Sequence, residues 1–215
     1  MPDFIQLALF FAAALVLAVT PGPGIFYVAA RSLAGGRAEG VASSFGTGLG
    51  GMVHVVAGSL GVSALVLASA ELFTALKLVG AAYLVWLGVR TFQSARGQAL
   101  GLAGGLAAPE IGTWRAFREG MLVEALNPKT AAFFLAFIPQ FVDPAAGRVA
   151  VQFVVLGTIS VVLNTAADIV VAVAASGIRE GAAARPALVR RLREGSGAAM
   201  IALGLGLTLA KRPGG

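Results

Sequence analysis

The sequence predicts an all-α integral membrane protein: six transmembrane helices arranged as two inverted three-helix repeats, with helices 1 and 4 broken. Three observations predict it. The 215 residues are 58% hydrophobic and 12% charged, with a mean hydropathy of +0.87, whereas soluble domains carry about 25% charged residues. The apolar residues gather into six runs, most of them reaching the roughly 20 residues that cross a bilayer. The first and fourth runs are interrupted by proline, at Thr20-Pro21-Gly22-Pro23-Gly24 and Asn127-Pro128-Lys129.

The spans run from Phe4 to Arg31, Val41 to Ala68, Leu72 to Phe92, Trp114 to Val142, Ala150 to Gly177, and Leu192 to Ala210. Met1-Pro2-Asp3 carries an acid and no basic residue, unlike a signal peptide, so the first span is expected to remain in the mature chain. Three spans per half place the second half in the opposite orientation to the first. We therefore read residues 1–215 as one transmembrane domain: repeat one over 1–93, a Gly- and Ala-rich cytoplasmic linker over 94–113, and repeat two over 114–215.

Charge sets the orientation. Arg31, Arg37, Arg90, Arg96, Arg115, Arg118, Arg179, Arg185, Arg190, Arg191 and Arg193 go with the first, third and fifth connections. Only Lys77, Arg148, Lys211 and Arg212 fall on the other side. The positive-inside bias then puts the odd connections in the cytoplasm and both termini outside. Basic loops against anionic lipid headgroups account for the net charge of +6 without a nucleic-acid partner. With no cysteine, the chain has no disulfide, thiolate metal ligand or cysteine nucleophile.

The two breaks carry the functional reading. Proline removes a backbone donor and clashes with the preceding turn, so in hydrocarbon the freed carbonyls need a partner from protein, water or solute. Interrupted helices at matching positions of two repeats point to a transporter's binding site. Asn127 is a preferred N-cap and Pro128 a preferred first helical residue, which predicts a half-helix running through Phe133, Phe134 and Phe137. In the first span Thr20 is expected to cap, with Pro21 or Pro23 opening a half-helix over Ile25 to Ala30, and Gly22 and Gly24 allowing close backbone approach. The two helix N-termini suit a carboxylate.

Polar residues at membrane depth complete the candidate set. Lys129 needs a carboxylate partner or a solute, with Glu124, Asp168 and a substrate carboxylate as candidates. Asp168 lies one helical turn from Asn164 on the same face, a placement suited to proton coupling or to binding an amine. A permanent Lys129–Asp168 salt bridge is the plainer alternative. Glu124, three residues before Asn127, is a second amine candidate or a residue at a wet mouth. His54 stands among Gly46, Gly48, Gly50, Gly51 and Gly58, either relaying protons or packing on a neighbouring helix. The same small-residue packing is compatible with association into a homo-oligomer.

Enzyme chemistry fits less well. Gly58-Ser59-Leu60-Gly61 lacks the spacing of a serine nucleophile motif, one deep aspartate cannot supply a catalytic pair, and no metal-ligand spacing or cofactor motif is present. Rival readings are export of a different small solute and a non-transporting membrane scaffold.

The chain resembles the LysE/RhtB amino-acid exporters along essentially its whole length. The resemblance rests on Thr20-Pro21-Gly22-Pro23-Gly24, the Gly-rich second span, Gly80-Ala81-Ala82-Tyr83-Leu84 with Trp86-Leu87-Gly88, and Leu126-Asn127-Pro128-Lys129-Thr130 followed by Phe137-Ile138-Pro139-Gln140-Phe141. It implies a bacterial inner-membrane protein of six helices that exports amino acids or derivatives, driven by the proton gradient.

Overall fold

Long apolar runs form helices here, and prolines mark the breaks, Pro23 and Pro128 each opening a new helix. A computed structural model describes residues 4–67 and 110–179, with isolated helical positions between 74 and 93 and between 194 and 208. Among the described residues there is no strand. Helix α1 spans Phe4–Val19, α2 Pro23–Leu67, α3 Thr113–Ala125, α4 Pro128–Ala132 and α5 Val149–Arg179. Between α4 and α5 lie a π-helical turn, Phe133–Phe137, and a 3-10 turn, Ile138–Phe141. Helix α5 is apolar enough over Val149–Gly177 to cross a membrane by itself. The pairs α1–α2 and α3–α4 qualify if each is one bent span, the first bent by 46° and the second by 43°. The expected third and sixth spans, and linker residues 94–109, lie outside the described residues apart from those isolated positions.

Three local expectations are corrected. The first connection is not a loop after Arg31, because helical backbone continues to a sharp turn at Gly36 (φ 75°, ψ −169°), a conformation glycine adopts without steric cost. Thr20 does not cap the second half-helix: its hydroxyl donates back to Val16 O at 2.6 Å and closes α1. The half-helix at Asn127 is α-helical for five residues only. Pro139 has no N–H to continue the α-helical ladder, and the chain passes through wider and then tighter turns.

The bundle encloses a set of polar residues and turns many large apolar ones outward. Ser43, Ser44, Thr47, Glu124, Asn127, Lys129 and Asp168 are buried, while Val53, Val56, Leu60, Leu122, Leu126, Val162 and Val170 are exposed. That distribution suits a lipid surround, where polar groups face the bundle interior. Helix α2 sits at the centre, against α3 on one side and α5 on the other. Its glycines permit this. A Cβ at Gly46 would collide with the Phe117 carbonyl oxygen, one at Gly50 with that of Met121, and one on α3 at Gly120 would lie 2.7 Å from Ser43 O. Backbone-to-backbone contact of this kind is how small residues bind membrane helices together. A cluster of Phe10, Leu17, Val55, Phe133, Phe134, Ile138, Phe153 and Leu156 fills the space between α1, α2, the irregular turns and α5.

A second junction ties the two parts of the chain at α3. Gly112, the residue before α3, has no side chain to cap the helix, and the Glu39 carboxylate holds the backbone leading into it. Glu39 Oε1 accepts the N–H of Ile111 at 2.8 Å and of Gly112 at 2.7 Å, and Arg31 lies 3.7 Å from Oε2. Close by, the Tyr27 hydroxyl lies 3.1 Å from Glu119 Oε2 and 3.2 Å from Ala116 O.

Candidate functional site

Each proline predicts which carbonyl it strands. A helical N–H bonds to the carbonyl four residues back, so Pro21 deprives Leu17 O, and Pro128 deprives Glu124 O, of that donor, leaving each one tighter backbone bond, from the Thr20 N–H at 3.2 Å and the Asn127 N–H at 3.0 Å. Both carbonyls find partners on another helix. The Lys129 ammonium donates to Leu17 O at 3.3 Å and to Thr20 O at 2.9 Å. His54 Nε2 lies 2.9 Å from Glu124 O, and because a carbonyl only accepts, that nitrogen carries the proton.

This corrects the expected pairing of Lys129. Its partners are the C-terminal carbonyls of α1, where partial negative charge collects, and among the described residues no carboxylate lies within ion-pair distance of it. The glycines of the first break make room for side chains of the second. A Cβ at Gly22 would sit 3.1 Å from Lys129 Nζ, and one at Gly24 would sit 2.5 Å from Glu124 Oε2.

At the second break Asn127 performs two tasks. Its Oδ1 accepts the Lys129 N–H at 3.0 Å, the expected cap with Pro128 as first helical residue, and its Nδ2 donates to Glu124 Oε2 at 2.9 Å. Glu124 Oε1 accepts the Thr130 hydroxyl at 2.5 Å. The Glu124 carboxylate, 8% exposed, is thus held by two neutral donors. Asp168 on α5 is 5% exposed, and its Oδ2 lies 2.6 Å from the Thr47 hydroxyl of α2. The same hydroxyl lies 2.8 Å from Ser44 O. Thr47 has one hydrogen for two acceptors, so the geometry serves both states of Asp168. Thr47 donates to an ionised carboxylate; a protonated one donates to Thr47, whose hydrogen then turns to Ser44 O.

These groups line one narrow cleft of about 380 Å³ of space outside atoms, part of it open. Its walls are Gly24 and Ile25 at the start of α2, Thr47, Gly48 and Gly51 farther along it, Glu124, Asn127, Lys129, Thr130 and Phe134 around the second break, and Val161, Asn164 and Asp168 of α5. The sequence profile of LysE type translocators matches residues 15–211. The chain belongs to that family.

Relatives of this LysE-type translocator span about two thirds of it. A membrane protein of Vibrio cholerae is 32% identical over 70% of this chain and 71% of its own. A homoserine/homoserine lactone efflux protein of Salmonella typhimurium is 33% identical over 69% and 70%. A leucine efflux protein of Klebsiella pneumoniae is 28% identical over 66% of each. No solved structure matches.

Of the sequence-predicted residues, the translocator's cleft gathers Gly24, Glu124, Asn127, Lys129, Asn164 and Asp168. Thr20, Pro21, Gly22, Pro23, Pro128 and His54 are not among the residues that line it. Asn164 donates to Ser160 O at 3.0 Å, and His54 packs on the Phe134 ring with centroids 5.7 Å apart. Sequence reasoning passed over Thr47 and Thr130. The signal for Thr47 was present, since Ser43, Ser44 and Thr47 form a hydroxyl stripe at helical spacing in an apolar span.

Proposed function

We propose that this translocator exports amino acids or close derivatives across the bacterial inner membrane by alternating access, coupled to proton entry. The carrying observation is the cleft where both proline breaks meet, lined by the buried carboxylates of Glu124 and Asp168 and by the Lys129 ammonium. The efflux names of the Salmonella typhimurium and Klebsiella pneumoniae relatives support the substrate class. In this reading the spans form two inverted repeats of three helices with both termini outside. The cleft is the midplane site that such repeats build.

Each group has a role. Asp168 and Glu124 receive the solute's amine or, when the site is empty of solute, a proton. Thr47 supports Asp168 in both states, as a coupling carboxylate requires. The solute's carboxylate faces the first turn of α2, where Gly24 and Ile25 border the cleft, and the ammonium of Lys129. The bend at each break lets one half rock against the other, with the Gly36 turn joining the arms of α2. Proteoliposomes loaded with labelled amino acids and placed under an imposed pH gradient test the reading. Gradient-dependent flux of at least one amino acid is expected; none across a broad panel overturns it.

A further inference from the structure

We infer that the cleft selects its solute by the ammonium group and that a solute carboxylate is dispensable, so that amines such as amino-acid amides are bound and carried. The inference rests on the transport reading above and narrows its substrate class.

Charge in the cleft is unbalanced. Among the described residues its acidic groups are Glu124 and Asp168, both more than nine-tenths buried, and neither has a cation of that set within 4.0 Å. Their hydrogen-bond donors are Asn127, Thr130 and Thr47, all neutral. Asp168 is the less satisfied: one hydroxyl serves its Oδ2, and among the described residues no donor reaches Oδ1. The single cation among its described lining residues, Lys129, gives two of its three N–H groups to the α1 terminus, at Leu17 O and Thr20 O. Its charge is therefore partly matched by the half charge that a helix C-terminus carries, about −0.5, which leaves less of it for a solute carboxylate.

The anion-binding side is weak by comparison. Helix α4 is one turn long, and its first free N–H, that of Lys129, already meets Asn127 Oδ1. The start of α2 offers about +0.5 of partial charge at Gly24 and Ile25, which roughly cancels the α1 terminus. With both carboxylates ionised, the described residues of the cleft keep about one net negative charge. An ammonium-bearing solute without a carboxylate neutralises that charge, whereas a zwitterion brings none overall. Burial in a medium of low dielectric makes the difference count.

The same balance gives a coupling rule. A solute ammonium and a proton neutralise the same two carboxylates, so each excludes the other, which is the competition an exchanger needs.

The test uses the full chain with three ligand sets: free amino acids, the corresponding amino-acid amides with a protonated amine and no carboxylate, and the N-acetyl amino acids with a carboxylate and no amine. Binding is read as thermal stabilisation of detergent-solubilised protein, and transport as competition with labelled solute in proteoliposomes. Amides are expected to bind within about threefold of the amino acids or more tightly, and N-acetyl acids at least tenfold more weakly, the worth of one hydrogen bond to a charged group. Asp168→Asn and Glu124→Gln, which keep shape, should each weaken amide binding by about 10- to 100-fold.

N-acetyl acids binding as well as amino acids while amides fail would overturn the inference and leave transport intact. Amides that bind but are not moved, with no flux of any solute, would instead overturn transport and leave ammonium selection standing. Stabilisation by sodium chloride over choline chloride with no response to any amine would show an inorganic cation site and overturn the inference. If a variant melts too low to assay, the ligand series on the unsubstituted protein still decides.

Discussion

The two proline breaks occupy corresponding places in the two halves of the sequence and perform opposite tasks. The first supplies backbone: the carbonyls of Leu17 and Thr20, and the space left by Gly22 and Gly24. The second supplies side chains: Glu124, Asn127, Lys129 and Thr130. One break is a socket and the other the group that fills it. The difference teaches that breaks alike in sequence pattern need not contribute alike to a site. A stranded carbonyl at one break is satisfied by a cation grown from the other, so neither break is complete in isolation.

The largest test of this asymmetry is Lys129→Met, which keeps the volume and removes the donor. Thr20 O loses its ammonium, an unsatisfied buried carbonyl costing about 1–3 kcal/mol, and Leu17 O, which keeps the Thr20 N–H at 3.2 Å, loses a second bond worth about 1 kcal/mol. Unfolding of the solubilised protein in denaturing detergent should show a loss of roughly 2–4 kcal/mol. An unchanged midpoint would mean that the first break does not need the second.

Next comes Gly24→Val, whose side chain enters the space of the Glu124 carboxylate. Overpacking of that kind costs about 1–3 kcal/mol, and transport should fall with it. If a valine were accepted at Gly24 with activity intact, the first break would not be a socket.

A smaller effect, about 1 kcal/mol, is expected for His54→Leu, because Glu124 O keeps the Asn127 N–H at 3.0 Å. Here a double-mutant cycle sharpens the comparison. Pro128→Ala restores the helical N–H that Glu124 O lacks, so His54→Leu should cost less in that background than in the native one. Equal costs in both would separate His54 from the proline. Smallest is Thr20→Val, about 0.5–1 kcal/mol, since the hydroxyl only adds a second bond to a Val16 carbonyl that already accepts the Thr20 N–H.

Much of this was legible before any coordinates. Asn127 with Pro128 specifies a helix start through local hydrogen bonding, and the structure has that cap. The α5 run is apolar over a length only a membrane helix uses, and the structure has one helix there. Local rules failed where a distant group intervened. Thr20 resembles an N-cap, yet its hydroxyl turns back because the α1 terminus offers Val16 O one turn away. Lys129 calls for a carboxylate on charge grounds, yet its nearest partners are carbonyls 112 and 109 residues away in sequence. Thr47 belongs to a hydroxyl stripe whose members ordinarily bond back to their own turn, and only the approach of α5 brings Asp168 to it.

The sequence by itself determined the helical character, the position of both breaks and the identity of the carbonyls they strand. These follow from hydropathy and from the missing proline N–H, properties of residues close together in the chain. Tertiary structure alone decided who answers those carbonyls and which carboxylates remain for a solute. Those outcomes depend on how closely the start of α4 approaches the end of α1, and α2 approaches α3 and α5 across its glycines, distances set by packing between helices.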